Sequence, residues 1–158
     1  MGGLGWRGAV AAGLVALAAM GAARAQPAKA WTPETIPWAE VNADGTRFAL
    51  LEGVRDVAGA PFSYAFFIPA GVWDGPHAHT ADARVFVARG TLHLGYGDRP
   101  DRSMAKAYPA GSFLIVPAGA THFDGADEDT LILGVAVGPW GTRYVDERAT
   151  PSAGAPPR

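Results

Sequence analysis

Three histidines and one aspartate carry the chemistry legible in this chain. His77 and His79 are separated by a single residue, and on an extended strand alternate side chains leave opposite faces, so both imidazoles project from the same side. A pair spaced in this way can chelate. His122 closes a second stretch, Gly-Ser-Phe-Leu-Ile-Val-Pro-Ala-Gly-Ala-Thr-His from Gly111, and a separate strand can carry it to the same spot. Three neutral imidazoles suit Fe(II), Zn(II), Mn(II), Ni(II) or Cu(II) and leave positions open for water or a ligand. Asp124 follows His122 by two residues. On a regular strand it shares that histidine's face, where it can bind metal, orient an imidazole or act as a base. Asp82 has the wrong parity relative to His79 unless the turn at Thr80-Ala81 resets it. For either acid the plain reading is a solvated turn residue. His93 alternates with Leu92 and Leu94, so if the leucines point inward it points outward, away from the site.

The elements that must position these groups are short strands. Arg47–Val54 and Phe62–Ile68 read as the first two, the latter rich in Phe and Tyr. The histidine strand follows Pro69-Ala70-Gly71, then Arg84–Ala88 with apolar Val85 and Val87, a turn at Arg89-Gly90, and Thr91–Tyr96. Gly97–Pro109 reads as a polar loop, Ser112–Val116 as a buried strand, Pro117-Ala118-Gly119 as a turn before the His122 strand, and Leu131–Val137 as a long apolar strand. A short strand through Tyr144 ends the series. Close-spaced turn glycines and the lack of any long amphipathic helix argue an all-β barrel or double-sheet jelly roll. Trp73, Phe86, Phe113 and Phe123 are candidates for a pocket wall, although core packing alone would also demand them.

The ends read differently. Arg7, an Ala/Val/Leu-rich run from Gly8 to Ala23 and the small-x-small site Ala23-Arg24-Ala25 predict a signal peptide over 1–25, with Gln26 as the mature start. The apolar run is shorter than the roughly 20 residues a spanning helix needs, so the expected product is periplasmic or secreted, with no membrane association after cleavage. Residues 26–46, with Trp31, Pro33, Pro37 and Trp38, read as an arm that lays aromatic rings on its own domain. The barrel is expected over 47–145, and the Pro-, Ala- and charge-rich tail over 146–158 as disordered.

The two glycine-histidine stretches together resemble the paired motifs of the cupin superfamily. The first motif reads Gly-x5-His-x-His-x3-Glu-x6-Gly, and Gly71, His77, His79 and Gly90 stand in register. The second reads Gly-x5-Pro-x-Gly-x2-His-x3-Asn, matched by Gly111, Pro117, Gly119 and His122. Gly95-Tyr96-Gly97-Asp98 and Gly138-Pro139-Trp140 also resemble a group of small exported bacterial single-domain cupins. The resemblance implies a single-domain cupin jelly-roll barrel whose metal is held by His77, His79 and His122. The family's glutamate falls on Ala83 and its asparagine on Ala126, so the chain looks like a three-histidine variant. Without the carboxylate the loaded site carries one more positive charge and favours an anionic or enolisable ligand that chelates through oxygen.

Composition bounds the function. The 158 residues are one domain's length, 49% hydrophobic and 18% charged, as for an ordinary globular protein. A formal charge of -2 with scattered basic residues gives no electrostatic case for nucleic acid or anionic membrane as a partner. There is no cysteine, so no disulfide staples the domain and any metal rests mainly on nitrogen and oxygen ligands. The leading expectation is a metal-dependent enzyme acting on a small oxygen-rich molecule, by oxidative cleavage with dioxygen. Metal-assisted isomerisation or hydrolysis would use the same ligands with a redox-silent metal, and a non-catalytic binder of metal or small ligand is the rival. The resemblance also implies that the chain can pair as a homodimer.

Overall fold

Alternating apolar residues build eleven strands in the computed structural model, which describes residues 27–146. They are β1 (Glu40–Val41), β2 (Arg47–Gly53), β3 (Pro61–Ile68), β4 (Trp73–His79), β5 (Ala83–Arg89), β6 (Thr91–Tyr96), β7 (Lys106–Pro109), β8 (Phe113–Val116), β9 (His122–Gly125), β10 (Thr130–Val137) and β11 (Thr142–Tyr144). The signal-peptide assignment over 1–25 and nearly all of the 146–158 tail lie outside the described residues. Among the described residues the helical content is one 3-10 turn, Arg102–Met104, and no helix is long and apolar enough to cross a membrane.

The strands form two antiparallel sheets, ordered β1-β2-β3-β10-β5-β8 and β11-β4-β9-β6-β7. The fold is an all-β jelly roll of two facing sheets. Among the described residues no ladder of hydrogen bonds closes them into one continuous barrel, so the closed-barrel form of the expectation is replaced by the double-sheet form. Apolar residues on the inner faces meet between the layers. Val85, Val87, Leu114, Val116 and Ile132 come from the six-stranded sheet, and Leu92 and Leu94 from the other. Such burial is the dominant favourable term in folding, at about 25 cal/mol per Å² of apolar surface.

Two readings from the sequence are corrected here. Gly97–Pro109 is not wholly a loop, because Lys106–Pro109 pairs with Thr91–Leu94 as β7. Its side chains show no apolar alternation, and backbone pairing together with the one ring of Tyr108 packed against the core draws it into the sheet. The strand at 113–116 is half buried: Leu114 and Val116 face the core while Phe113 and Ile115 stand exposed on the outer face.

The segment ahead of β2 covers part of that outer face. Ile36 is buried against Ala49, Ala65 and Leu131, with Trp38 packed alongside and its ring 6.4 Å from that of Phe67. β1 then pairs with β2 and extends the sheet edge. One motif glycine has a clear geometric duty. Gly90 turns β5 into β6 at φ 75°, a left-handed conformation that side chains disfavour. A Cβ there would also fall 2.7 Å from the carbonyl oxygen of Asp129.

Candidate metal centre

The site is built on one face of β11, β4 and β9. His77 and His79 share that face by parity, and residues directly opposite in an antiparallel pair project the same way. His77 faces His122 across to β9. On the other side Thr142 lies opposite His79 and Tyr144 opposite His77. The ladder slips between Asp74 and His77, and this irregularity lets Asp74, three residues from His77, turn to the same cavity.

The three imidazoles converge. One ring nitrogen from each of His77, His79 and His122 lies within 4.8 Å of the others, and the ring centroids are 4.3 to 5.2 Å apart. His77 and His122 are 3% and 2% exposed. Their tautomers are set by the backbone. The Nδ1 of His77 lies 2.7 Å from the Gly75 carbonyl oxygen and the Nδ1 of His122 lies 2.9 Å from that of Ala120. A carbonyl can only accept, so each Nδ1 carries the hydrogen and each neutral ring keeps a lone pair on Nε2. The Nδ1 of His79 is 3.1 Å from the Thr142 hydroxyl, and its ring stacks on Trp140 with centroids 4.3 Å apart. Burial pushes His79 down to about 3, with the neighbouring His77 and His122 adding to the shift. Burial also lowers His122, against the opposing charge of Asp124. Neutral rings with free Nε2 lone pairs are the form that binds a cation, so the residues fit a divalent metal.

Two carboxylates face the cluster. The Oδ2 of Asp124 lies 3.8 Å from the Nε2 of both His77 and His122. Asp74 accepts hydrogen bonds from the Tyr144 hydroxyl and the Gly75 N–H, both at 2.8 Å. Burial raises it to about 6, against the lowering pull of His77. Asp82 stands apart, where its carboxylate accepts the Ala118 N–H at 2.8 Å and ties the turn before β9 to the one after β4. His93 is flanked by buried Leu92 and Leu94 and lies near Asp127 and Trp73, outside the cluster. Ala83 and Ala126 are core residues, 2% and 0% exposed.

A cavity of about 590 Å³ opens in front of these groups, between the inner faces of the two sheets. His77, His79, Asp74 and Asp124 form one side of it. Phe48, Tyr64 and Phe66, with the Trp140 ring that stacks on His79, supply its aromatic lining, and Arg55 and Arg143 also line it. Arg55 is held by Glu40 at 3.6 Å and lies over the Phe48 ring. The aromatic residues picked from sequence line none of this space. Phe86 and Phe113 are exposed on the outer face of the six-stranded sheet, Phe123 is 1% exposed, and Trp73 packs on Gly125 and His93. Asp74, Thr142 and Tyr144 went unnoticed in the sequence. The odd spacing of Asp74 from His77 hides it, and β11 reaches the site only through pairing.

The chain matches the model of the ChrR Cupin-like domain over residues 26–141. No curated protein matches it. Among solved structures it is similar to the polyketide cyclase RemF from Streptomyces resistomycificus, at 21% identity and TM-score 0.60, over 76% of this chain and 87% of that one. It is also similar to an uncharacterized protein with a double-stranded beta-helix domain from Klebsiella pneumoniae, at 14% identity and TM-score 0.57, over 77% and 100%. A cupin-like protein from Thermotoga maritima aligns at 19% identity and TM-score 0.54, over 71% and 90%. At such identities these likenesses speak for the fold. The family match spans most of the chain, and the chain belongs to the ChrR cupin-like family.

Proposed function

We propose that this cupin-like chain is a metal-dependent enzyme in which His77, His79 and His122 hold a divalent cation and the cavity takes a small oxygen-rich substrate. The observation that carries this reading is the convergence of three imidazoles, two of them buried with Nδ1 tied to a carbonyl, beside a roomy cavity that His77 and His79 line. A bound iron or copper would supply a centre at which a chelating substrate and dioxygen meet, and dioxygenation is the reaction we favour. The chain's own groups do the rest. Carbonyls and Thr142 orient the imidazoles, the wall of Phe48, Tyr64, Phe66 and Trp140 excludes water and packs flat carbon skeletons, and Arg55 and Arg143 attract anionic ones. We also read residues 1–25 as an export signal, which places the enzyme in the periplasm or outside the cell.

A second reading, metal-assisted isomerisation or hydrolysis, is favoured by Asp74. Its raised carboxyl can carry a proton near neutrality and stands within reach of the same cavity.

Metal analysis of protein purified without a histidine tag, followed by oxygen uptake over a panel of diketones, catechols and flavonoids, tests both. Iron or copper with substrate-dependent uptake supports the dioxygenase. A redox-silent metal with turnover but no uptake supports the second reading, and metal without turnover on any panel member makes the chain a binder. His79→Ala is expected to abolish metal loading. Unchanged loading in that variant overturns the site.

A further inference from the structure

We infer that Asp124 is the fourth metal ligand, a carboxylate supplied from β9 at the place where the first motif's glutamate has become Ala83; this rests on the three-histidine reading of the site. Ala83 lies in the core among Val85, Leu114 and Val116, so no acid reaches the cluster from that position. Asp124 does. It sits two residues beyond His122 on the same face, with Oδ2 at 3.8 Å from two Nε2 atoms.

Those two nitrogens present lone pairs, because their rings carry the hydrogen on Nδ1. A carboxylate oxygen facing two lone pairs with no hydrogen between them is repelled by both, and a cation at their centre turns every one of these contacts attractive. The second carboxylate offers a contrast. Asp74 is satisfied by Tyr144 and Gly75, whereas among the described residues no hydrogen-bond donor reaches the Asp124 carboxylate. The Asp124 carboxylate, 18% exposed, faces the cavity with its acceptors open to a ligand.

The distances suit ligation. Metal–ligand bonds of about 2.0–2.2 Å place donors about 3.4 Å apart in a tetrahedron and about 4.2 Å apart when opposed. The 3.8 Å separations from His77 and His122 fall between those limits, whereas Asp124 stands outside the set of ligand atoms that all lie within 4.8 Å of one another, so its side chain must rotate toward His79 for all four donors to share one ion. Asp124 lies against His77 and His122, and no ion pair links it to His79. It would therefore reach a bound ion from the side of His77 and His122. The loaded site then has three nitrogens and one oxygen, and its net charge is one unit lower than three imidazoles alone would give.

The test uses untagged full-length protein loaded with cobalt(II), with affinity measured by chelator competition and geometry by visible absorption. Losing a group that merely orients a ligand costs 10- to 100-fold in metal affinity. Asp124→Asn is expected to lose about 100-fold or more and to change the cobalt bands. Metal-free Asp124→Asn should melt no lower than the wild type, since it removes an unfavourable charge, which separates a ligand's loss from a folding defect. Asp127→Asn, which deletes a mostly exposed carboxylate near the end of the same strand, should bind cobalt as the wild type does. Wild-type affinity and spectrum in Asp124→Asn overturn this inference and leave the histidine site standing. Failure of the wild type to take up cobalt overturns both.

Discussion

Replacing Gly95 by Ala should loosen the metal centre without touching it. Gly95 lies opposite Phe123 across β6 and β9. A Cβ built on Gly95 would stand 2.8 and 2.9 Å from the two Cε atoms of that ring and closer still to Cζ. Carbon atoms in contact sit about 3.5–4.0 Å apart, so the ring must retreat by roughly 1 Å. It has nowhere to go, being 1% exposed, and its backbone lies between His122 and Asp124. Overpacking of this kind costs about 1–3 kcal/mol. The lower chain entropy of Ala in the unfolded state returns about 0.4–1 kcal/mol, leaving a net loss of about 1–2 kcal/mol. At about 4 °C per kcal/mol for a domain of this size, the metal-free variant should melt about 4–8 °C below the wild type by calorimetry. Cobalt affinity should fall with it. Trimming the ring in Gly95→Ala/Phe123→Leu should recover part of both losses, since the two sites are in contact. Melting at or above the wild-type temperature, with unchanged cobalt binding, would refute the claim that this packing holds β9 in place.

The pH response of the metal-free protein follows from opposed groups, histidines on one side and Asp74 on the other. His79 titrates at about 3 when folded against 6.5 as a free group, so its stabilising share is complete above pH 6.5 and shrinks as pH falls toward 3. Asp74 titrates at about 6 against 3.8, so its share is complete below 3.8 and is lost as pH rises through 6. Between pH 4 and 6 these two slopes, each about 1.4 kcal/mol per pH unit, oppose each other, and His122, lowered by burial, adds to the histidine side. Urea melts should show a decline toward acid that Asp74 blunts, and Asp74→Asn should steepen it; an unchanged profile in the variant would count against the assignment. Thr142→Val removes the hydroxyl beside the His79 Nδ1 and should weaken cobalt binding about 10-fold with little change in melting temperature. Equal affinity in the two proteins would mean the hydroxyl does not orient that ring.

The site was legible where parity sufficed. A two-residue spacing puts His77 and His79 on one face, and the same rule puts Asp124 beside His122, whatever else the strands do. Which strand lies next to which is a matter of pairing at long range, and there the sequence is mute. Thr142 meets His79 across 63 residues of chain, with no local pattern to announce it. Aromatic character misleads for a related reason. Phe86 and Phe113 are opposed on neighbouring strands but look outward, while Phe48 and Tyr64 look inward. Alternation fixes which residues share a face and says nothing about which face meets the other sheet. Lys106–Pro109 was missed because its backbone pairing is joined by a single core-packed side chain, Tyr108, too little to make an alternating pattern.

The family's domain ends at residue 141, one position short of β11. All three imidazoles lie within that boundary, but the hydroxyl that braces His79 and the phenol that occupies Asp74 lie beyond it. A recombinant domain trimmed to the family limits would thus keep every motif position and forfeit the outermost strand of the histidine sheet. Two of the groups that brace this centre sit on three residues that follow the matched span.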